Sequence, residues 1–182
     1  AMHGVTREGT STRVFAGDSL FNAAPAPALA IESGQVWIRD PLSGADVLLG
    51  NSSAGRFSRR LIPGAYDLVY AVSAGSEIVP ANAGVVFEHG RVVNALPAAD
   101  IAIPVAPLAW NLTLNGAAFP ASVLENGRIR TRSPDDLEDI LLGDTRLLGA
   151  IGSSRRLVPG SYRPTYSRVI GSELVPANSH AS

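Results

Sequence analysis

Ser58-Arg59-Arg60-Leu61-Ile62-Pro63-Gly64-Ala65-Tyr66 returns as Ser154-Arg155-Arg156-Leu157-Val158-Pro159-Gly160-Ser161-Tyr162, 96 residues further on. At the same spacing Gly75-Ser76-Glu77-Ile78-Val79-Pro80-Ala81-Asn82 returns as Gly171-Ser172-Glu173-Leu174-Val175-Pro176-Ala177-Asn178. Upstream the spacing is 93, because Gly34, Arg39, Pro41, Asp46 and Leu48-Leu49-Gly50 match Gly127, Arg132, Pro134, Asp139 and Leu141-Leu142-Gly143. The loop after Gly143 is therefore longer by 3 residues. The chain is a tandem duplication whose period is too long for a solenoid unit and fits one small domain.

The periodicity is that of strands. Trp110, Leu112 and Leu114 alternate with Asn111 and Thr113; Val36 and Ile38 with Gln35, Trp37 and Arg39; Tyr66, Leu68 and Tyr70 with Asp67 and Val69. Turn formers bound each run: Asn115-Gly116, Asn126-Gly127, Ser43-Gly44, His89-Gly90 and Pro63-Gly64. Short strands punctuated this often predict a β-sandwich. Ser133-Pro134 followed by acids has the marks of a helix start, but its counterpart from Asp40 reads as a turn leading into a strand, so no more than one helical turn is expected.

Composition narrows the class further. With 46% apolar and 17% charged residues, 13 prolines and 18 glycines, the 182-residue chain can bury one or two compact cores joined by many turns. A net charge of -1 gives no overall field to gather nucleic acid or an anionic membrane, so ion binding must be local. Cysteine is absent, which removes disulfides, thiolate metal sites and thiol catalysis; lysine is absent too, so all 15 basic residues are arginine. No run of 18 apolar residues predicts a membrane span, and Ala1-Met2-His3-Gly4 reads as a cloning remnant with no signal peptide behind it.

Gly55-Arg56-Phe57 leading to Leu61-Ile62-Pro63-Gly64-Ala65-Tyr66, with a second copy ending Leu157-Val158-Pro159-Gly160-Ser161-Tyr162, resembles the Gly-x-Phe…Leu-x-Pro-Gly-x-Tyr signature of carboxypeptidase regulatory-like, transthyretin-like and Cna B-type β-sandwiches. Physically, Phe57 lies in a strand, Pro63-Gly64 makes the reversal, and Tyr66 opens the next strand with its ring in the core and its hydroxyl near the turn. The resemblance implies an all-β protein of two tandem homologous Ig-like (prealbumin-like) sandwiches, spanning 1-107 and 108-182 and joined near Pro104 to Pro107. It further implies a non-catalytic spacer, adhesion or accessory module of a secreted or cell-surface bacterial protein, extracellular or in the cell envelope. Cna B-type modules often carry a lysine-derived isopeptide crosslink, which a chain without lysine cannot form.

The two copies differ at their ends. Val85-Val86-Phe87, Arg91-Val92-Val93 and Ile101-Ala102-Ile103 read as further strands of the first repeat, and the second repeat has no equivalent of them before Ser182. The second sandwich is thus expected to lack its closing strands, either because the sequence is cut from a longer protein or because a strand is supplied from elsewhere, and to expose an edge. Thr10-Ser11-Thr12-Arg13-Val14-Phe15, with no clear counterpart before the second repeat, is one expected cover for that edge; a second chain, in a strand-exchanged or edge-to-edge homodimer, is the other.

Candidate sites are few. Arg128, Arg130 and Arg132 alternate on one strand and would form a row suited to carboxylate, sulfate or phosphate groups, unless Asp135, Asp136, Glu138 and Asp139 neutralise it. Trp37 beside Arg39 stands at the matching place in the first repeat, either to stack on a sugar or to be covered by neighbouring protein. These five residues carry the alternative reading, a module binding carbohydrate or an anionic polymer; a protein or surface polysaccharide is the expected partner. Glu77, Asn82, Glu173 and Asn178 are expected to hydrogen-bond loop backbone. No acidic run has the spacing of a calcium loop, and His3, His89 and His180 lack a nucleophile or orienting partner, so no metal, cofactor or catalytic residue is expected.

Overall fold

The computed structural model describes residues 13-26, 31-75, 77-94, 100-120, 122-134, 138-147, 153-171 and 173-177. Expectations resting on His3, Thr10 to Thr12, Asp135, Asp136, Asn178 and His180 lie outside the described residues. Described elements are strands and two one-turn 3-10 helices, at Ser52–Ala54 and Thr145–Leu147, so the chain is all-β.

In the first half, β1 (Arg13–Phe21), β2 (Ala24–Pro25), β3 (Ser33–Arg39), β4 (Asp46–Asn51), β5 (Arg56–Leu61), β6 (Gly64–Ala74), β7 (Ala83–Val93) and β8 (Ile101–Ile103) form two sheets. One has the order β4-β3-β6-β7; in the other β1 pairs with β2 and β5 antiparallel and with β8 parallel. Strand alternation puts Val36, Ile38, Leu68, Tyr70 and Val85 of the first sheet and Phe21, Phe57, Leu61, Ile101 and Ile103 of the second into one shared core.

The second half repeats this frame with β9 (Ala106–Trp110), β10 (Thr113–Leu114), β11 (Ala117–Ala118), β12 (Asn126–Arg132), β13 (Ile140–Asp144), β14 (Ser153–Leu157) and β15 (Arg163–Ile170). Its larger sheet has the order β13-β12-β15, matching β4-β3-β6, and β9 pairs β14 as β1 pairs β5. The registers carry the duplication down to single residues: Trp37 lies opposite Val69 and Leu48, and Arg130 opposite Thr165 and Leu141. Gly34 N–H donates to Ser52 Oγ at 2.9 Å, and Gly127 N–H to Thr145 Oγ1 at 2.8 Å.

Three expectations are corrected. Ala83–Val93 is one strand, not two joined by a hairpin at His89-Gly90. Gly90 has φ 68° and its N–H donates to Asp67 Oδ1 at 3.0 Å, while the register with β6 shifts on both sides of Leu68; the glycine bends the strand as a bulge. Second, Arg13, Val14 and Phe15 do not cover the second half's edge, because they pair with Leu61, Arg60 and Arg59. They also have a counterpart: Ala106 lies opposite Leu157 as Arg13 lies opposite Leu61. The sequence conceals this because nothing in Arg13-Val14-Phe15 resembles Ala106-Pro107-Leu108. Third, Tyr66 is buried but Tyr162 only partly so.

The hairpins after these strands also correspond. Asn22 and Ala23 (φ 48° and 64°) match Asn115 and Gly116 (φ 50° and 82°), two-residue reversals with both residues left-handed. Across them one aromatic contact is exchanged. Phe21, before the first hairpin, meets Tyr70 edge-on with centroids 6.1 Å apart; Phe119, after the second, meets Tyr166 at 6.1 Å. Position for position, Phe21 and Ala26 are replaced by Leu114 and Phe119, so the core trades a large side chain across the turn.

Candidate functional site

Each half carries the same clasp, buried in the first half and partly buried in the second. Glu32 accepts from the N–H groups of Glu77, Ile78 and Val79 at 3.2, 3.2 and 3.4 Å, and Glu125 accepts from those of Leu174 and Val175 at 2.5 and 3.3 Å. Tyr70 Oη donates to Pro80 O at 3.1 Å and Tyr166 Oη to Pro176 O at 3.3 Å. A Cβ on Gly34 or Gly127 would fall 2.3 Å from the ring of Tyr70 or Tyr166, so only glycine lets the ring lie flat there. The clasp holds the Val-Pro-Ala loop rigid. Its carboxylate was missed in the sequence, where Glu77 and Glu173 were singled out instead; Glu32 and Glu125, 93 residues apart, were the signal.

The loop so held is the joint between the halves. Asn82, fully buried, accepts at Oδ1 from Val158 N–H at 2.8 Å and donates from Nδ2 to Tyr162 Oη at 2.7 Å. Tyr162 Oη in turn donates to Val158 O at 2.6 Å, the bond that Tyr66 Oη makes to Ile62 O at 2.7 Å. Ala81 N–H donates to Arg156 O at 2.9 Å. Apolar contacts interleave as well: Val158 packs in the first half's core and Ala81 in the second's. The expectation that Asn82 binds loop backbone holds, with the backbone supplied by the other half.

The candidate ligand residues lie on the outward faces of the two larger sheets. Gln35, Trp37, Arg39, Asp46, Val69 and Ala71 are among the residues lining a cleft of about 200 Å³. Trp37 stands directly opposite Val69, which is buried although it points away from the core. Arg39 is engaged by Asp46, donating from Nε at 2.7 Å and from Nη2 at 3.0 Å.

The arginine row is interleaved with acids. Arg128 lies opposite Asp144, which is held by Arg146 through Nε at 3.0 Å and Nη2 at 2.8 Å. Burial would raise the Asp144 carboxyl, but the Arg146 hydrogen bonds and charge, with Arg128 nearby, outweigh it and hold the group below its ordinary value. A bulge between Ile129 and Arg130 bends the row, and Arg132 stands 4.0 Å from Asp139. Arg132 also lines, with Ser133, Pro134, Ser161, Tyr162 and Arg163, a cavity of about 510 Å³. The five residues therefore fall into two separate groups, one per half. Among the described residues no group of three His, Asp or Glu side chains is placed to hold a metal ion, and no helix is long and apolar enough to cross a membrane.

Two solved structures resemble the chain. A DUF3823 family protein from Bacteroides ovatus ATCC 8483 is 16% identical, with 87% of this chain and 91% of that one covered and a TM-score of 0.36. A leucine-rich repeat protein from Bacteroides thetaiotaomicron VPI-5482 is 9% identical, with 90% of this chain but 23% of that one covered and a TM-score of 0.34. No protein-family model and no curated protein matches the chain. Strands and joint together define an all-β protein of two duplicated halves.

Proposed function

We propose that the chain is a non-catalytic spacer or interaction module of a secreted or cell-surface bacterial protein, built from two tandem Ig-like sandwiches near 1-107 and 108-182. The observation that carries this reading is the joint. A flexible linker would let two domains tumble, whereas Asn82, Val158 and Tyr162 tie one half to the other with buried and part-buried, mutually satisfied hydrogen bonds. Rigid relative placement is the property a spacer needs. The repeated clasp serves the same end, since it fixes the loop that makes the contact.

Because the chain has no cysteine, spin labels can be placed at will, for example at Ser58 and Glu138, both exposed. A narrow distance distribution that broadens on Asn82→Ala is expected; a broad distribution in the unaltered chain would sink the spacer reading.

A second reading, binding of carbohydrate or an anionic polymer, is favoured by the Trp37 cleft and by the cavity where Arg132 meets Arg163. A glycan array with the unaltered chain and Trp37→Ala tests the first of these. Retention on heparin at rising salt tests the second, since exposed charges are screened over about 10 Å at 0.1 M.

A further inference from the structure

In the first half the strand leaving the Val79-Pro80-Ala81-Asn82 loop is β7, and it runs antiparallel along the outer edge of β6, with Ala71 opposite Ala83, Tyr70 opposite Val85 and Val69 opposite Val86. Val85 and Val93 enter the core and Phe87 packs against it. In the second half the clasp that aims the chain at this edge is already formed, from Glu125 to Leu174 and Val175 and from Tyr166 to Pro176. Among the described residues, however, β15 pairs with β12 alone.

The side chains record the difference. Tyr66 and Tyr70 are buried beside β7, whereas Tyr162 and Tyr166 are only partly covered. The strand itself is fit to accept a neighbour. Pro164 has no N–H to offer, but it sits where Leu68 sits, and there the β6–β7 register shifts on both sides, so the ladder is already interrupted at that point.

We propose that the outer edge of β15 is a strand-acceptor site, and that its occupant is an extended segment of β7's own chemistry: antiparallel, with two apolar side chains at alternate positions directed onto Tyr166 and a glycine bulge where the strand passes Pro164. Recognition is by main-chain hydrogen bonds along the edge, with selectivity from the alternate side chains. The occupant is fixed by the molecule itself, because the same edge of the duplicated sheet is covered by Ala83–Val93 in a defined register.

The test uses the full chain and a synthetic peptide of the sequence Ala83 to Val93. Hydrogen exchange at residues 163-168 is expected to slow at least tenfold when the peptide is added, while residues 64-72, whose edge is occupied, stay unchanged. A peptide carrying aspartate for Val85 and Phe87 is expected to give no protection. In a second variant the same eleven residues are joined directly after Asn178; the Tyr166 phenol is then expected to ionise as late as that of Tyr70. The proposal is overturned if neither the free nor the joined strand protects 163-168. It is equally overturned if that segment becomes protected without peptide as protein concentration rises, since a second copy would then be the cover.

Discussion

Tyr70 and Tyr166 stand at equivalent places, each against a glycine that leaves room for its ring and each bonded to the proline carbonyl ten residues on. Tyr70 is fully buried beside β7, and Tyr166 is half-buried beside an edge that no described strand covers. Burial, helped by the Glu32 carboxylate, pushes the Tyr70 phenol far above its ordinary value; burial also raises Tyr166, against the opposing charge of Arg168. Local sequence thus sets the place of a side chain, whereas its environment is completed by strands far along the chain. Two copies of one motif can keep the same tyrosine-to-carbonyl bond and still differ in burial.

Removing the rings should expose that difference most plainly. Tyr70→Ala is expected to cost roughly 3 to 5 kcal/mol, as large aromatic truncations in closed cores do, and Tyr166→Ala roughly half that. Denaturant melts of the two variants would show it, and equal losses would remove the contrast. Next comes the joint. Asn82→Ala strands the Val158 N–H and one partner of Tyr162, an expected loss of about 1 to 3 kcal/mol. Unfolding of the two halves should also separate into two steps by calorimetry.

Smaller effects follow from titration. A phenol whose folded value lies above its unfolded value keeps its proton in the folded chain while the unfolded chain ionises, so stability falls as pH rises past about 10. Absorbance titration should find Tyr70 last to ionise, with Tyr166 before it. Asp144 runs the other way: its depressed folded value contributes stability above its ordinary carboxyl range that is lost as pH falls through that value. Asp144→Asn should flatten the acid limb of the melting curve, and an unchanged limb would mean that Arg146 holds nothing of consequence. The smallest expected effect is on ligand retention, where replacing Arg128, Arg130 and Arg132 with serine should lower retention on heparin only slightly, because Asp139 and Asp144 already occupy the row.

The repeat itself was legible because Pro63-Gly64 and Tyr66 do one local job, and their copies do it again at a fixed distance. Strand alternation in Val36-Trp37-Ile38 placed the core and outward faces correctly. The first strand of each half was not legible: it is recognised by its partner, β5 or β14, and Arg13-Val14-Phe15 and Ala106-Pro107-Leu108 share a register but no side chain. The same holds for the His89-Gly90 bulge, which has the local chemistry of a turn and is kept within one strand by the ladder with β6. The joint was half legible. Asn82 was marked as a structural hydrogen-bonding residue, but a partner 76 residues away cannot be read from neighbours in the chain.

That separation has a consequence during synthesis. When Asn82 emerges from the ribosome, two of its partners, the Val158 N–H and the Tyr162 hydroxyl, have not been made, nor has the Val158 side chain that joins the first half's core. At about 5 to 20 residues per second, the missing 76 residues take roughly 4 to 15 s to follow. Throughout that interval the nascent first half lacks one member of its core and two of the Asn82 partners, a window in which holding chaperones compete with the half still to come.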